Sequence, residues 1–128
     1  MDYRLRKLIN QAGALGLCID TTTDLPQNMR GLYVPEHRTI WLRDRLSDTQ
    51  KLCTLQHELI HVERGDNGAQ ASRIEAKIDE EAARRLISHT EYMLAEQMYG
   101  ENRYVLAREL DVTPAIIEAY QRALTLNR

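Results

Sequence analysis

The sequence predicts an α+β fold on the strength of three observations. Apolar residues recur at helical spacing over most of the chain. Two short β-prone runs flank a polar turn near residue 37. The length of 128 residues suits one domain with one core, and a composition of 43% hydrophobic and 28% charged residues is typical of a soluble globular protein. We therefore expect a single domain over residues 1–128.

The N-terminal part is predicted to contain a helix, a strand and a β-hairpin. Asp2 can cap a first helix, because apolar residues recur at helical spacing after it. A strand is expected over residues 17–23, which are apolar and then β-branched. Residues 31–34 and 39–42 are β-prone runs on either side of the turn at 35–38, so they predict the hairpin.

The rest of the chain is predicted to be helical. The expected helices cover residues 48–64, 69–89, 91–110 with a break near Gly100, and 114–126. The first begins at Asp48 or Thr49 and ends before Gly65, a residue suited to a left-handed C-cap. Thr113 and Pro114 supply an N-cap and a first-position proline for the last helix.

Charge and composition exclude several classes of partner. The net charge of −2 creates no general attraction for nucleic acid or acidic lipid. No apolar run approaches the roughly 20 residues of a membrane span, and the N-terminus lacks a signal-peptide pattern, so we expect a cytoplasmic protein with no membrane partner. The two cysteines, Cys18 and Cys53, are far apart in sequence and predict buried free thiols rather than a disulfide.

The run from Leu55 to His61 contains the most informative motif. His57 and His61 are four residues apart, so on a helix they lie on the same face and can bind one metal ion. Glu58 lies beside that ion, where it can take a proton from a water molecule. This spacing is typical of zinc hydrolases and indicates a peptidase.

A catalytic zinc ion normally takes three protein ligands, so a third must lie elsewhere. The downstream candidates are Asp66, Glu75, Asp79, Glu80, Glu81 and His89. Glu75 and Asp79 share a helix face and could supply a ligand and a residue that orients a histidine ring. Alternatively, Glu75 forms a capping box with Ser72 and binds the backbone instead.

Three other side chains with metal-binding chemistry have structural interpretations. Cys53 lies on the motif helix, but at 1.5 Å per residue it is about 12 Å along the axis from His61, too far to share an ion. His37 lies in the predicted turn and is expected to be exposed. His89 is expected at a helix C-terminus, where its partial charge favours the dipole.

The motif and its flanking residues resemble the ImmA/IrrE-type metallopeptidases, a gluzincin-like family. The resemblance covers roughly residues 17–126 and is carried by His57–His61, Glu75, Asp79, the alanine-containing run 82–87, Gly31, Tyr33 and residues 40–42. The sequence departs from the family pattern at Asp79, where asparagine is usual, at Lys77, where glutamate is frequent, and at Ser88, where proline is usual.

The resemblance implies a zincin-like domain, with a small antiparallel sheet packed on a helix-rich body that carries the motif helix. It implies that Zn²⁺ is held by His57, His61 and Glu75, with Asp79 as a supporting residue and Glu58 as the catalytic base. A second donor to the substrate carbonyl would come from Tyr33, His89, Tyr92 or Tyr99. The segment Thr39–Arg43 would be a sheet edge that pairs with substrate.

The family resemblance also implies a narrow protein substrate, a DNA-binding repressor encoded beside the peptidase on a phage or mobile element. Residues 104–128 resemble a helix-turn-helix, but their basic and acidic residues balance, so direct binding of nucleic acid is not expected. The alternatives are an inactive zinc-binding module that docks a partner and a transcription regulator.

Overall fold

The computed structural model describes residues 2–26 and 28–126, and in this part of the chain it contains six α-helices and three strands. They are α1 (Tyr3–Ala14), β1 (Cys18–Thr22), β2 (Gly31–Val34), β3 (Thr39–Arg43), α2 (Asp48–Arg64), α3 (Ser72–Leu86), α4 (His89–Tyr99), α5 (Arg103–Leu110) and α6 (Pro114–Leu126). A short 3₁₀ helix, Pro35–His37, joins β2 to β3. The predicted α+β class is confirmed.

The elements fall into two compact units along the chain. The first, Met1–Ala71, contains α1, the sheet and α2, and the second, Ser72–Arg128, contains α3 to α6. The earlier expectation of a single domain over residues 1–128 stays a prediction. Among the described residues, no helix has both the length and the apolar character needed to cross a bilayer.

The sheet is mixed, whereas an antiparallel sheet was expected. Its strand order is β1-β3-β2, with β1 parallel and β2 antiparallel to β3. The predicted hairpin forms from β2 and β3. β3 lies between β1 and β2, which are consecutive in sequence, and β1 runs in the same direction as β3. The prediction that Thr39–Arg43 is a sheet edge was wrong, since β3 is the central strand.

The connection from β1 to β2 is held by one arginine of the central strand. The Arg43 guanidinium donates hydrogen bonds to the carbonyl oxygens of Met29, at 2.9 Å, and Leu25, at 3.0 Å, and also to that of Pro26. Carbonyl groups in an irregular segment have no ladder partner, so a planar guanidinium with several N–H groups satisfies them efficiently. These hydrogen bonds therefore fix the path of the loop as it enters β2.

Helix α2 is delimited by strong local signals at both ends. Ser47, one residue before the expected start, is the N-cap and forms a capping box with Gln50. Gly65 ends the helix in the left-handed conformation, with φ of 74°, as expected. Leu52, Leu55 and Leu59 are completely buried, so they form the face of α2 that packs into the core.

In the second unit, α6 packs against both α3 and α5. The ring centroids of Tyr92 and Tyr120 are 4.8 Å apart, and Tyr92 is fully buried. The expectation that His89 ends a helix was wrong. Ser88 caps a new helix, α4, which begins at His89, and the Nδ1 atom of His89 lies 2.8 Å from the Tyr120 hydroxyl.

The two cysteines differ in their exposure. Cys53 is buried on α2, as predicted, whereas Cys18 is exposed and the prediction of a buried thiol was wrong. Cys18 begins β1, which is an outer strand of the sheet. His37 is exposed in the turn between β2 and β3, as expected.

The N-cap of α1 should make stability depend on pH. Burial raises the pKa of the Asp2 carboxyl, but its hydrogen bonds from the Arg4 guanidinium and main-chain N–H outweigh burial and hold the pKa below its ordinary value. A carboxyl with a lowered pKa stabilises the fold above its unfolded-state pKa, and this contribution is lost as the pH falls through the folded-state pKa.

We therefore expect Asp2→Ala to lower the free energy of unfolding by about 1 kcal/mol at neutral pH, the usual value of an N-cap. Urea denaturation at a series of pH values measures this difference, which should narrow in acid. Asp2→Asn, which keeps an acceptor that does not titrate, is the control. An Asp2→Ala deficit that is equal at neutral and strongly acidic pH would contradict the assignment.

Candidate metal centre

Helix α2 carries the three motif residues on adjacent positions of its surface. The imidazole ring centroids of His57 and His61 lie 5.0 Å apart, as expected for side chains one helical turn apart. His61 and Glu58 are buried, and His57 is half-buried. Two imidazoles and a carboxylate are therefore presented at the wall of the core and not on a fully solvated helix face.

Asp66 orients the ring of His61. The Gly65 C-cap reverses the chain, so that the Asp66 N–H bonds the His61 carbonyl at 3.1 Å and Asp66 Oδ2 lies 2.8 Å from His61 Nδ1. With the Nδ1 proton directed to the carboxylate, Nε2 keeps its lone pair for a metal ion, as in many zinc sites. The Arg64 Nε atom donates to the same Oδ2 at 2.8 Å.

The surroundings of Asp66 keep its carboxyl ionised. Burial raises its pKa, but the hydrogen bonds from Arg64 and His61 lower it more, and the net pKa lies below its ordinary value. Sequence reasoning named Asp66 as a possible ligand and Asp79 as the supporting residue, and it did not anticipate this contact. The signal that could have revealed it is Gly65, because a left-handed C-cap returns the next residue towards the last turn of the helix.

Glu58 is held by the neighbouring strand. Its Oε1 atom accepts a hydrogen bond of 3.1 Å from the main-chain N–H of Tyr33, in a buried environment. Strand β2 comes this close because residue 31 is glycine. A Cβ atom there would lie 2.6 Å from Thr54 Cγ2 and 3.3 Å from Glu58 Cγ. The β2 backbone at Gly31 thus packs directly against the Thr54 and Glu58 side chains of α2.

His57, His61 and Glu75 form a group that could hold a metal ion. Each offers one ligand atom, and these atoms all lie within 4.8 Å of one another. Two imidazole nitrogens and one carboxylate oxygen are a donor set that suits zinc. Asp79 is half-buried one turn after Glu75 on α3, and its supporting role stays a prediction.

The predicted donors to a substrate carbonyl have different environments. The Tyr33 side chain is buried, Tyr99 is exposed, and the His89 ring is bonded to Tyr120. Burial raises the pKa of Tyr92 to about 12, so its phenol stays protonated at neutral pH. That one of these four groups donates a hydrogen bond to a substrate carbonyl stays a prediction.

Comparison with known proteins identifies a family. The sequence model of a peptidase family, described as the IrrE N-terminal-like domain, matches residues 18–119. A comparison with curated proteins finds no match. Among solved structures, the fold is similar to that of a Mycobacterium tuberculosis transcriptional regulator, with a TM-score of 0.63 and 16% sequence identity. The aligned region covers 98% of this chain but 42% of the regulator.

Removal of the Asp66 carboxylate should weaken metal binding at His61. We expect Asp66→Ala to lower the affinity for Zn²⁺ by about 10- to 100-fold, because the ring loses the group that fixes its tautomer and orientation. Competition with a chromogenic chelator measures the affinity. Glu36→Ala, which removes an exposed carboxylate from the same unit, is the matched control. Equal affinities of the two variants would show that Asp66 does not support the ligand.

Proposed function

This chain belongs to the IrrE N-terminal-like family of peptidases, and from this premise we propose that it is a zinc-dependent metallo-endopeptidase. The observation that carries the proposal is the arrangement on α2. His57 and His61 share a face, Glu58 is buried next to them, and Asp66 accepts from Nδ1 of His61. A helix that served only to pack would have no use for two adjacent imidazoles, a buried carboxylate and a half-buried carboxylate just after its C-cap, each with a defined partner.

We propose that His57, His61 and Glu75 hold Zn²⁺, since their ligand atoms are grouped and their chemistry fits this ion. Bound there, zinc would supply a Lewis acid that makes water nucleophilic at neutral pH and polarises a carbonyl. The protein contributes rigidity: α2 sets the spacing of the two rings, and Asp66 holds one of them in the tautomer that leaves Nε2 available.

Glu58 is proposed as the proton carrier. Its carboxylate would accept a proton from the attacking water and deliver it to the amine that leaves when the peptide bond breaks. The hydrogen bond of 3.1 Å from the Tyr33 main-chain N–H to Oε1 holds this carboxylate beside the two histidines. Burial of the side chain excludes most bulk water from the carboxylate, which favours direct transfer to the substrate.

The position of Glu75 on α3 supports its proposed role as ligand. Helix α3 begins at Ser72, which makes Ser72 the first helical residue and places Glu75 at the fourth helical position. A capping box requires the serine to precede the helix and the glutamate to occupy the third helical position. With α3 beginning at Ser72, this spacing favours the ligand over the cap, and the Glu75 carboxylate belongs to the group of possible ligands.

The proposed substrate is a protein, and the family suggests a DNA-binding repressor encoded nearby on a phage or mobile element. Such a peptidase would act in the cytoplasm, where the repressor is found. Incubation of the zinc-loaded protein with the product of the neighbouring gene, followed by mass spectrometry, tests this substrate. Two fragments that sum to the intact mass plus one water are expected, and an uncleaved repressor would argue against this substrate.

A second candidate function is transcriptional regulation without cleavage, which is the role named for the structurally similar Mycobacterium tuberculosis protein. The charges of the second unit do not favour DNA binding. Arg103 pairs with Glu118 at 2.7 Å, and Arg122 approaches Glu80 at 3.4 Å, so acidic groups already neutralise these two arginines. A surface that binds phosphates needs unpaired positive charge. An inactive zinc-binding module that docks a partner is the remaining alternative.

Replacement of Glu58 separates the peptidase from both alternatives. We expect Glu58→Gln to keep zinc and to lose at least about 100-fold in cleavage rate, because the amide cannot carry a proton. His57→Ala should lose both zinc and activity, since one ligand is gone. Metal content by plasma mass spectrometry and cleavage assays provide the two measurements. A Glu58→Gln protein as active as the parent would refute the proposed function.

A pair of substitutions at the start of α3 separates a ligand from a helix cap. Glu75→Ala should strip zinc, whereas Ser72→Ala should leave the zinc content unchanged, because only the carboxylate is proposed to touch the ion. Metal content and thermal denaturation are measured on both proteins. If both variants retain zinc and lose similar, modest stability, Glu75 is a capping residue and the third ligand lies elsewhere.

A further inference from the structure

The main-chain N–H of Tyr33 faces away from the rest of the sheet. In an antiparallel pair, residues alternate between those that exchange hydrogen bonds with the partner strand and those that do not. The Arg43 N–H donates to the Arg30 carbonyl at 2.7 Å, which sets the phase of the ladder between β2 and β3. In this phase Leu32 bonds to its partner Trp41, and the N–H of Tyr33 points outwards.

An outward N–H on the last strand of a sheet is normally open to water or to an added strand. At Tyr33 it instead donates to Glu58 Oε1 at 3.1 Å, and the bond is buried. The glycine at position 31 permits this contact, because any side chain there would collide with Thr54 and crowd the Glu58 side chain. A residue of the strand edge and the proposed proton carrier are therefore joined by a specific contact inside the first unit.

We propose that the Tyr33 main-chain N–H is a positioning group for Glu58, an inference that rests on the proposed peptidase function. A glutamate side chain has three rotatable bonds, and a carboxylate without a fixed partner would sample several orientations. A donor on a strand, held by its own ladder, restricts the carboxylate to the orientation in which Oε1 is bonded. Preorganisation of this kind lowers the barrier to proton transfer without contact to the substrate.

The contact with Glu58 also affects the outer edge of β2, where a substrate strand could pair. At Tyr33 the outward donor is engaged by Glu58, so a substrate strand that paired with β2 at this residue would have to compete with a charged acceptor. Hydrogen bonds to a carboxylate are stronger than those to a neutral carbonyl. The outward N–H of Tyr33 thus serves the proposed catalytic base.

Amide hydrogen exchange tests the contact independently of peptidase activity. In the ¹⁵N-labelled full chain, we expect the Tyr33 N–H to be protected although it does not face β3. In Glu58→Ala its exchange should accelerate by about 10-fold or more, whereas the amide of Leu32, which bonds to β3, should keep its rate. Glu58→Gln, which retains an oxygen acceptor, should restore protection. Equal Tyr33 exchange in all three proteins would overturn the proposal.

Kinetics test the positioning role. Tyr33→Pro removes the N–H without removing a ladder bond, and Tyr33→Ala removes the side chain but keeps the N–H. On a protein substrate that the parent cleaves, we expect kcat of Tyr33→Pro to fall about 100-fold below that of Tyr33→Ala, with similar KM and zinc content. Equal kcat values would overturn positioning. A zinc-loaded parent that cleaves nothing would instead refute the proposed function, which the exchange experiment does not assume.

Discussion

The close packing of α2 on β2 and β3 is the constraint on which the first unit depends. Three leucines of α2, Leu52, Leu55 and Leu59, are fully buried, and burial of such side chains is worth roughly 2 kcal/mol each. The helix can approach the sheet this closely only where residue 31 has no side chain, because Thr54 occupies the space of a Cβ atom. The three buried leucines therefore determine which face of α2 packs on the sheet. The absence of a side chain at residue 31 determines how closely α2 approaches β2.

The same packing buries polar groups of α2 at the edge of the core. An unsatisfied hydrogen-bond donor or acceptor in such a place costs about 1–3 kcal/mol. The structure supplies partners from the backbone and from the next turn. Glu58 accepts from the Tyr33 N–H of the strand, and His61 meets Asp66 after the left-handed turn at Gly65. Fully satisfied polar networks are rigid, so the contacts that make burial tolerable also fix the orientation of the groups that would act on a substrate.

Two arginines of the second unit pair with glutamates on neighbouring helices. Arg103 and Glu118 join α5 to α6, and Arg122 joins α6 to Glu80 of α3, where Glu80 is buried. In a helix-turn-helix that reads DNA, such arginines would be needed at the surface with free charge. Here the segment that resembles this motif consists of an eight-residue helix, a left-handed turn at Asp111 and a long helix packed on α3, an arrangement that fits a structural role.

The sequence by itself determined much of the local structure. Asp2, Gly65 and Pro114 mark helix ends where the structure has them, because caps and glycine turns act through neighbours a few residues away. The four-residue spacing of His57 and His61 likewise guarantees a shared helix face. These features depend on short-range geometry, which the order of residues specifies directly.

Only the tertiary structure decided the features that join distant segments. Composition could not reveal that Thr39–Arg43 is the central strand, since β-prone residues suit a centre and an edge alike. Nor could it reveal that Cys18 is exposed, or that the Tyr33 N–H bonds Glu58, 25 residues along the chain. Strand order and the direction of each main-chain N–H depend on which surfaces of the chain pack together and exclude water. This packing is a property of the folded chain and not of any local sequence pattern.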